Sequence, residues 1–360
     1  MDTPRLTTSQ PVRHPSPTAK ATSLAYIRWE RPDLENAEKF LNDFGLRTVF
    51  STKTDLYLTS CDGTPWCYHI SKAKQARFVA MGFSVADRSD LQALSALPGA
   101  SNIERLNAPG NGEVVRITDP GGLRIDVVHG REHGPKTTHR APLPVNYESS
   151  SLSRINTTQR APAIPPEVLK LGHVAMEVVD YQAVSAWYTQ HLGFIPSDIQ
   201  VLPDGSPAIA FMRLDLGDTP TDHHTLALAQ SFQHDLSHCA FEVIDLDAVG
   251  MGQRVLNERG WRHAWGMGRH LLGSQVFDYW SDPWGAHHEH YCDGDVFTAD
   301  HPVGIHPYRP RDMAQWGQSP RLFEFIAPKA NLNTIKKLLF NLRTSPEFSI
   351  EKLLYLVRGA

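Results

Sequence analysis

An α+β fold made of two similar halves is predicted by three features of the sequence. The stretch SLAYIRWE at residues 23–30 is similar to KLGHVAME at residues 170–177, and both have the apolar character of a short strand. Each is followed by a helix-like segment that runs into a glycine. Each half then ends with a strand, an Asp-Pro-x-Gly turn and a second strand. Two copies of a β-α-β-β-β-like unit are therefore predicted, at residues 21–131 and 168–297.

The first predicted helix of each half has a recognisable end. In DLENAEKFLNDFGL and in DYQAVSAWYTQHLGF, apolar residues recur at helical spacing. Gly45 and Gly193 lie where a glycine commonly caps the C-terminus of a helix. Later in each half, VAMGFSV at residues 79–85 and HCAFEV at residues 238–243 are predicted to be strands, because their composition favours β structure.

Three further segments flank or join the two copies. Residues 1–20 are rich in Pro, Ser and Thr and lack an apolar core, so we expect a disordered arm and not a signal peptide. Residues 132–167 have a similar composition and are expected to form a linker. Residues 298–360 form a tail whose last part is expected to fold into two short amphipathic helices.

Composition argues against several classes of function. The formal net charge is −4 over 360 residues without a long basic run, so no nucleic-acid partner is expected. No apolar run approaches the roughly 20 residues of a membrane span, so no membrane association is expected. The four cysteines are dispersed, which favours a reduced, cytoplasmic location. No glycine-rich nucleotide-binding motif is present in the sequence, and no organic cofactor is expected.

Three potential metal ligands occupy matched strand positions of the second copy. These residues are His173, His238 and Glu289. The corresponding residues of the first copy are Tyr26, Ala80 and Asp126. Glu289 and Asp126 each lie seven residues after the aspartate of the Asp-Pro turn, which supports the alignment. Because only the acidic position is retained, the first copy is predicted to bind no metal.

The tract DPWGAHHEHYCDGD around Glu289 contains three histidines. Strand alternation places Glu289 on one face with His287 and Tyr291, and His288 and His290 on the outer face. Two imidazoles and one carboxylate form a facial triad with open coordination positions. Such a triad suits Fe(II) and dioxygen chemistry, Mn(II) is possible, and Zn(II) accepts the same ligands.

The motifs LGHVAMEV, LSHCAFEV and DPWGAHHE resemble the three metal strands of the vicinal oxygen chelate superfamily. More narrowly, residues 21–297 are similar to the two-module type I extradiol dioxygenases, which cleave catechols. The resemblance implies tandem modules, each of paired βαβββ units with a curled mixed sheet around a cavity. It also implies one metal ion, held in the second module, and a supporting role for the first module.

The resemblance assigns further residues to catalysis. The segment DHHTLAL resembles the part of the family that bears its acid/base histidine. Within it we assign His223, fifteen residues before His238, and we expect His224 to point to the opposite face. The spacing of His270 and Tyr279 is similar to that of the family's histidine and tyrosine beside the metal. They are expected to hydrogen-bond the substrate oxygens.

The implied activity is Fe(II)-dependent extradiol cleavage of a catechol-type ring. Both atoms of O2 would enter a product that is a semialdehyde or a keto-dienoate. Two other functions are possible on the same scaffold: a metal-dependent, glyoxalase-like isomerase or lyase, and a non-catalytic protein that binds an aromatic ligand. The substrates implied are a small aromatic diol and O2, and a homo-oligomer is expected.

The resemblance also suggests a role for the tail, since similar dioxygenases cover the mouth of the active site with a C-terminal segment. The candidate lid residues are His306, Tyr308 and Arg309. Trp265, Trp280 and Trp284 lie near the predicted site in sequence and favour an aromatic substrate. Arg269 is either a ligand for a substrate carboxylate or a member of a surface ion pair.

Overall fold

A computed structural model of the chain describes residues 7–147, 152–318 and 332–358. It contains two large, curled, mixed sheets and few helices, which confirms the predicted α+β class and the two tandem modules. Each sheet is built from two βαβββ units whose first strands pair antiparallel at the centre of the sheet. The paired-unit architecture is therefore also confirmed.

The first module forms an eight-stranded sheet in the order β2-β3-β4-β1-β5-β8-β7-β6. Its elements are β1 Ala21–Arg31, α1 Leu34–Phe44, β2 Arg47–Ser51, β3 Asp55–Thr59, β4 Tyr68–Lys72, β5 Arg77–Val85, α2 Arg88–Ser95, β6 Glu104–Arg105, β7 Glu113–Thr118 and β8 Arg124–His129.

The second module forms a ten-stranded sheet in the order β19-β10-β11-β13-β9-β14-β17-β16-β15-β20. Its elements are β9 Val168–Val178, α3 Tyr181–Leu192, β10 Ile195–Val201, β11 Pro207–Arg213, β12 Thr221–Asp222, β13 Leu226–Gln230, β14 Asp235–Val243, α4 Leu246–Glu258, β15 Arg262–His270, β16 Val276–Ser281, β17 His287–Cys292, β18 Val296–Phe297, β19 Gly304–Pro307 and β20 Ala314–Gly317. The short strands β12 and β18 pair separately.

Local sequence explains the ends of the first helix. The side chain of Asp33 accepts a hydrogen bond from the backbone N–H of Asn36, which satisfies a free donor of the first turn. Gly45 ends the helix with φ of 108°, and a Cβ atom there would lie 1.9 Å from the carbonyl oxygen of Pro166. Gly193 ends α3 with φ of 70°. Both predicted glycine caps are confirmed.

The outer face of β17 is buried against the first module. His288 Nε2 lies 2.9 Å from the hydroxyl of Tyr68, and His290 donates from Nε2 to the carbonyl oxygen of Phe44 at 2.7 Å. Burial lowers the pKa of both histidines to about 4, so both are neutral near pH 7. His288 and His290 thus point away from Glu289, as predicted, and they join the two modules.

The N-terminal arm packs along the second module. Arg13 and Lys20 each form an ion pair with the largely buried carboxylate of Asp215, at 2.8 and 2.7 Å, and Thr18 donates a backbone hydrogen bond to Gln190. The expectation of a disordered arm is therefore wrong for residues 7–20, because a buried carboxylate requires these cations. Residues 1–6 lie outside the described part of the chain.

The tail adds an edge strand at each end of the second sheet, since β19 pairs with β10 and β20 pairs with β15. A short 3-10 helix, Pro310–Met313, separates these strands. Two helices follow, α5 Leu332–Thr344 and α6 Ile350–Arg358, as predicted. None of the helices in the described residues is long and apolar enough to cross a membrane.

Candidate metal centre and active site

Three neighbouring strands carry the predicted metal ligands. His173 lies on β9, His238 on β14 and Glu289 on β17, and β14 pairs with both other strands. The register places Ala240 of β14 directly beside His173 and Glu289. Because directly paired residues share a face and His238 lies two residues from Ala240, all three ligands project from the same face.

The ligand atoms converge. Oε2 of Glu289 lies 3.2 Å from Nε2 of His173 and 3.3 Å from Nε2 of His238. One donor atom from each residue lies within 4.8 Å of the other two. Among the residues that the structure describes, no other group of three His, Cys, Asp or Glu side chains meets this distance. The structure thus brings together the three residues that the repeat alignment selects.

The chemistry of this donor set fits a divalent metal ion. Glu289 is fully buried, and neither carboxylate oxygen makes a hydrogen bond of normal geometry, which is unfavourable without a counter-charge. Burial raises the pKa of Glu289, but the contacts with His173, His238 and His270 outweigh it and hold the pKa well below the usual range. Burial also lowers the pKa of His173, so its imidazole is neutral. An ionised carboxylate beside two imidazoles is a ligand set for Fe(II), Mn(II) or Zn(II).

A cavity of about 270 Å³ opens at the ligands. His173 and His238 line it, together with His224, His270 and Tyr279. Most of the remaining wall is apolar, and includes Ala175, Ile209, Phe211, Ala227, Trp265 and Leu272. An apolar cavity with a few convergent polar groups is typical of a small-molecule site. Its volume and lining suit a small aromatic ligand.

His270 and Tyr279 form a hydrogen-bonded pair at the edge of the ligand set. His270 Nε2 lies 3.0 Å from the hydroxyl of Tyr279 and 3.5 Å from Oε1 of Glu289. Burial and the nearby Glu289 raise the pKa of Tyr279 well above its usual value, so the phenol stays protonated. A neutral hydroxyl and an imidazole are thus available beside the ligands, where the sequence analysis expected them.

The tail closes part of the cavity. Tyr308, Pro310 and Met313 of the segment after β19 line it, and so do Leu353 and Leu356 of α6. The hydroxyl of Tyr308 donates to the carbonyl oxygen of Leu356 at 3.1 Å, which ties the two parts of the tail together.

Comparisons with known proteins agree with this geometry. The sequence profile of the Glyoxalase/Bleomycin resistance protein/Dioxygenase superfamily matches residues 170–289. Metapyrocatechase 2 of Cupriavidus necator is 30% identical over 321 residues, which cover 88% of this chain and 96% of that protein. The chain belongs to the type I extradiol dioxygenases of this superfamily.

Solved structures share the fold of this dioxygenase. The substrate complex of homoprotocatechuate 2,3-dioxygenase from Brevibacterium fuscum superposes with a TM-score of 0.72 at 20% identity, covering 87% of this chain and 94% of that one. The Mn(II)-bound glyoxalase from Novosphingobium aromaticivorans gives a TM-score of 0.70 at 22% identity, covering 84% and 94%. At these identities the likeness establishes the fold alone.

The adjacent histidines of the dioxygenase are placed differently from our expectation. His224 lines the cavity, with its ring centroid 4.1 Å from that of His173, whereas His223 is fully buried outside the cavity lining. The expected orientation of the pair is therefore wrong. The sequence pattern predicts that both residues lie on a strand, but they lie in the bend between β12 and β13. Alternation counted along a regular strand does not apply to such a bend.

Asp198 of β10 is a residue that the sequence analysis missed. Its carboxylate lies 2.7 Å from Nε2 of His223 and 2.6 Å from Nε2 of His306. No local motif marks Asp198, because its partners lie 25 and 108 residues away. Of the lid candidates, Tyr308 lines the cavity, His306 contacts Asp198, and Arg309 is exposed beside Asp312.

Of the residues considered for substrate recognition, only one lies at the cavity. Trp265 lines the cavity and stacks on Tyr279 with ring centroids 5.2 Å apart, whereas Trp280 is fully buried and does not line it. Trp284 lies near the guanidinium of Arg31. Arg269 forms an ion pair with Asp293 at 2.8 Å, which is the surface role left open above.

The equivalent position of the first module is filled by charged and aromatic side chains. Asp126 lies 2.8 Å from Nε of Arg124 and 3.3 Å from Nη1 of Arg28, and it accepts a hydrogen bond from Tyr26. The guanidinium of Arg131 lies 5.1 Å from the centre of the Tyr26 ring. These arginines neutralise the carboxylate without a metal ion.

Proposed function

We propose that this dioxygenase uses Fe(II) to cleave a catechol-type aromatic ring beside its two hydroxyl groups. Both atoms of one O2 molecule enter the ring-opened product, a semialdehyde or a keto-dienoate. The observation that carries the proposal is the convergence of His173, His238 and Glu289 at a cavity with apolar walls. The same cavity holds three further groups that exchange or donate protons, His224, His270 and Tyr279.

Iron is the metal that we assign to this site. Two imidazoles and one carboxylate with open positions are the ligand set of non-haem Fe(II) oxygenases, and Mn(II) is the second candidate. A bound metal would acidify the diol hydroxyls and would supply the open coordination positions that dioxygen chemistry requires. The fully buried Glu289 contributes the negative charge that retains a divalent ion.

His224 takes the acid/base role in place of His223. It lines the cavity next to His173, so its imidazole borders the space that is available to a bound diol. Burial lowers the pKa of His224 well below its usual value, which leaves it neutral and able to accept a proton from a substrate hydroxyl. His223 does not line the cavity, so it is not placed to exchange a proton directly with a bound substrate.

His270 and Tyr279 orient the substrate. Their mutual hydrogen bond at 3.0 Å leaves them side by side at the cavity wall, near the carboxylate of Glu289. Either side chain can hydrogen-bond a diol oxygen once their mutual bond opens, and the aromatic ring of Trp265 beside Tyr279 provides an apolar surface for the substrate ring.

The test is anaerobic loading of the full chain with Fe(II), Mn(II) or Zn(II) in turn, followed by oxygen uptake and visible absorbance with a panel of catechols. We expect one metal ion per chain, stoichiometric oxygen consumption and a yellow product with Fe(II). Absence of oxygen uptake across the panel despite bound metal would overturn the proposal in favour of an isomerase or lyase. Catechol binding without any metal would instead indicate a binding protein.

Three further expectations are part of this proposal. The substrates are a small aromatic diol and O2, and the active form is a homo-oligomer. The cytoplasm is the proposed location, and the four cysteines, which are all free and buried, are consistent with a protein that is kept reduced.

A further inference from the structure

We propose that Asp198, His223 and His306 form a hydrogen-bonded chain that fixes the tautomer of His224 and so presents the lone pair of its Nε2 atom to the cavity. All three are positioning residues, because they act through His224. The inference rests on the acid/base role proposed for His224.

The chain is continuous from the cavity to the surface. Nδ1 of His224 lies 2.9 Å from Nδ1 of His223, and Nε2 of His223 lies 2.7 Å from Oδ2 of Asp198. The other oxygen of Asp198, Oδ1, lies 2.6 Å from Nε2 of His306, whose side chain is 41% exposed. His224 at the cavity is thus linked through His223 and Asp198 to His306 at the protein surface.

The direction of each hydrogen bond follows from the carboxylate. An ionised Asp198 can only accept, so Nε2 of His223 must carry a proton. In a neutral His223, Nδ1 is then an acceptor, and Nδ1 of His224 must be the donor. A neutral His224 therefore has its free lone pair on Nε2, at the side of the ring away from His223. This is the tautomer that a base in the cavity requires.

The ionised state of Asp198 is supported by its surroundings. Burial alone raises the pKa of Asp198, but the hydrogen bonds from His223 and His306 outweigh burial and lower the pKa to about 2. The bond with Asp198 raises the pKa of His306 above its usual value, so each partner favours the charged form of the other.

Backbone contacts hold His223 in place. Its N–H donates to the carbonyl oxygen of Asp295 at 2.8 Å, and its own carbonyl oxygen accepts from the hydroxyl of Ser197 at 2.6 Å. Its imidazole packs near the rings of Phe211 and Phe297, with centroids 5.5 and 5.7 Å away. Both the backbone and the ring of His223 are therefore fixed, as a positioning group requires.

Gly304 makes room for the other end of the chain. In the parallel pairing of β10 with β19, Gly304 lies beside Asp198. A Cβ atom at Gly304 would lie 2.0 Å from Oδ1 of Asp198 and 2.6 Å from Nε2 of His306. Any other residue here would displace the Asp198–His306 contact.

The arrangement also connects the tail to the chemistry. His306 lies on β19, and Tyr308, two residues later, lines the cavity. The same short segment therefore completes the chain behind His224 and closes the substrate site.

The direct test is the tautomer of His224 in the metal-free full chain. Long-range ¹H–¹⁵N spectra of protein labelled with ¹⁵N-histidine identify which ring nitrogen carries the proton, and a His224→Asn variant assigns the signal. We expect the proton on Nδ1 in the wild-type protein. A proton on Nε2 would overturn the inference, whatever reaction the protein catalyses.

Asp198→Asn tests the role of the carboxylate. An amide can donate to Nε2 of His223, which reverses the chain and moves the His224 proton to Nε2; the same substitution in the carboxylate of a serine-protease triad traps the wrong tautomer. Asp55→Asn is the matched control, because Asp55 holds His69 at 2.9 Å in the first module without a cavity histidine behind it. An unchanged His224 signal in Asp198→Asn would contradict the proposal.

Kinetics of the Fe(II)-loaded protein provide the second readout. We expect Asp198→Asn to lower kcat roughly 10- to 100-fold, which is less than the ~10²- to 10⁴-fold of direct general acid–base catalysis because the carboxylate acts through His224, with a change in KM of less than about threefold. Gly304→Ala should also lower kcat, and it replaces Asp198→Asn as the test variant if Asp198→Asn does not fold. A wild-type kcat in both variants would overturn the inference. If the wild-type protein is inactive but carries the His224 proton on Nδ1, the proposed function is refuted and the inference about the tautomer stands.

Discussion

Both modules place a buried carboxylate at the same strand position, but they surround it differently. In the first module, Asp126 contacts the guanidinium groups of Arg28 and Arg124 and the hydroxyl of Tyr26. In the second, Glu289 faces imidazoles, two of them at 3.2 and 3.3 Å. Arginine carries a permanent positive charge, so the first carboxylate is already neutralised.

In the described part of the chain, the second carboxylate forms ion pairs with histidines and with no arginine. Imidazoles that are neutral donate lone pairs without cancelling the charge, so the site retains a negative charge that a divalent cation offsets. We infer that an acidic residue at this position does not by itself define a metal site. The neighbouring side chains on β1 and β5, or on β9 and β14, are proposed to determine whether the position binds metal.

The largest difference between the modules should appear when each carboxylate is removed. Glu289→Gln should reduce bound metal from one per chain to near zero and lower kcat/KM at least ~100-fold, since even residues behind metal ligands cost 10- to 100-fold. Asp126→Asn should leave metal content and kcat within about twofold of wild type. Metal analysis and steady-state kinetics of both variants decide this, and loss of metal in Asp126→Asn would refute the distinction.

Removal of the imidazole of His224, the proposed base at the cavity, should have the next largest effect. His224→Phe removes a proton acceptor that has no counterpart in the first module, so kcat should fall roughly 10²- to 10⁴-fold while the metal is retained. Single-turnover kinetics with a catechol measure the loss, and metal content is the control. Wild-type turnover in this variant would show that His224 is not the acid/base residue.

The junction between the modules should contribute to stability. Arg31 and Asp282 form an ion pair at 2.7 Å, with side chains only 2% and 4% exposed. Arg31→Met leaves a buried carboxylate without its cation and should lower the free energy of unfolding by about 3 kcal/mol.

The exposed pair of Arg77 and Glu30 provides the matched control for the junction. Arg77→Met should change the free energy of unfolding by less than about 1 kcal/mol. Urea unfolding compares the two variants. Equal destabilisation would show that burial at the junction does not strengthen the Arg31 contact.

A pH dependence of the free energy of unfolding is expected from the first module. Burial, the largest cause, lowers the pKa of His69 from 6.5 to about 4. The unfolded chain takes up a proton at His69 below about pH 6.5, whereas the folded chain does so only near pH 4. This contribution to stability is therefore complete above pH 6.5 and is lost as the pH falls toward 4, by about 1.4 kcal/mol per pKa unit.

A His69→Gln variant isolates this titration, because glutamine binds no proton in either state. Urea unfolding midpoints measured from pH 7 to pH 4 should fall more steeply for the wild-type protein than for the variant. Parallel slopes would contradict the assignment of His69 as a neutral buried group.

The metal ligands could be predicted from the sequence because two regularities determine their placement. Strand alternation fixes the face of Glu289, and the internal repeat supplies a second copy against which His173 and His238 are distinguished from ordinary strand histidines. Both regularities act over a few residues or at a fixed offset, so they are visible without coordinates.

The positions of His223, Asp198 and the arm could not be predicted in this way. The orientation of His223 depends on the bend between β12 and β13, and that bend is fixed by pairing with β18, more than 70 residues later. Asp198 meets His223 through that bend, and it meets His306 through the pairing of the tail strand β19 with β10. Residues 7–20 are ordered by the buried Asp215, a contact that composition does not reveal.

Product analysis after turnover under ¹⁸O2 tests the proposed reaction most directly. The Fe(II)-loaded protein is mixed with its preferred catechol, and the product is trapped by reduction before its carbonyl oxygen exchanges with water. Two labelled oxygen atoms in one ring-opened product are the predicted result of extradiol cleavage at His173, His238 and Glu289. A product with one labelled atom or none would contradict it.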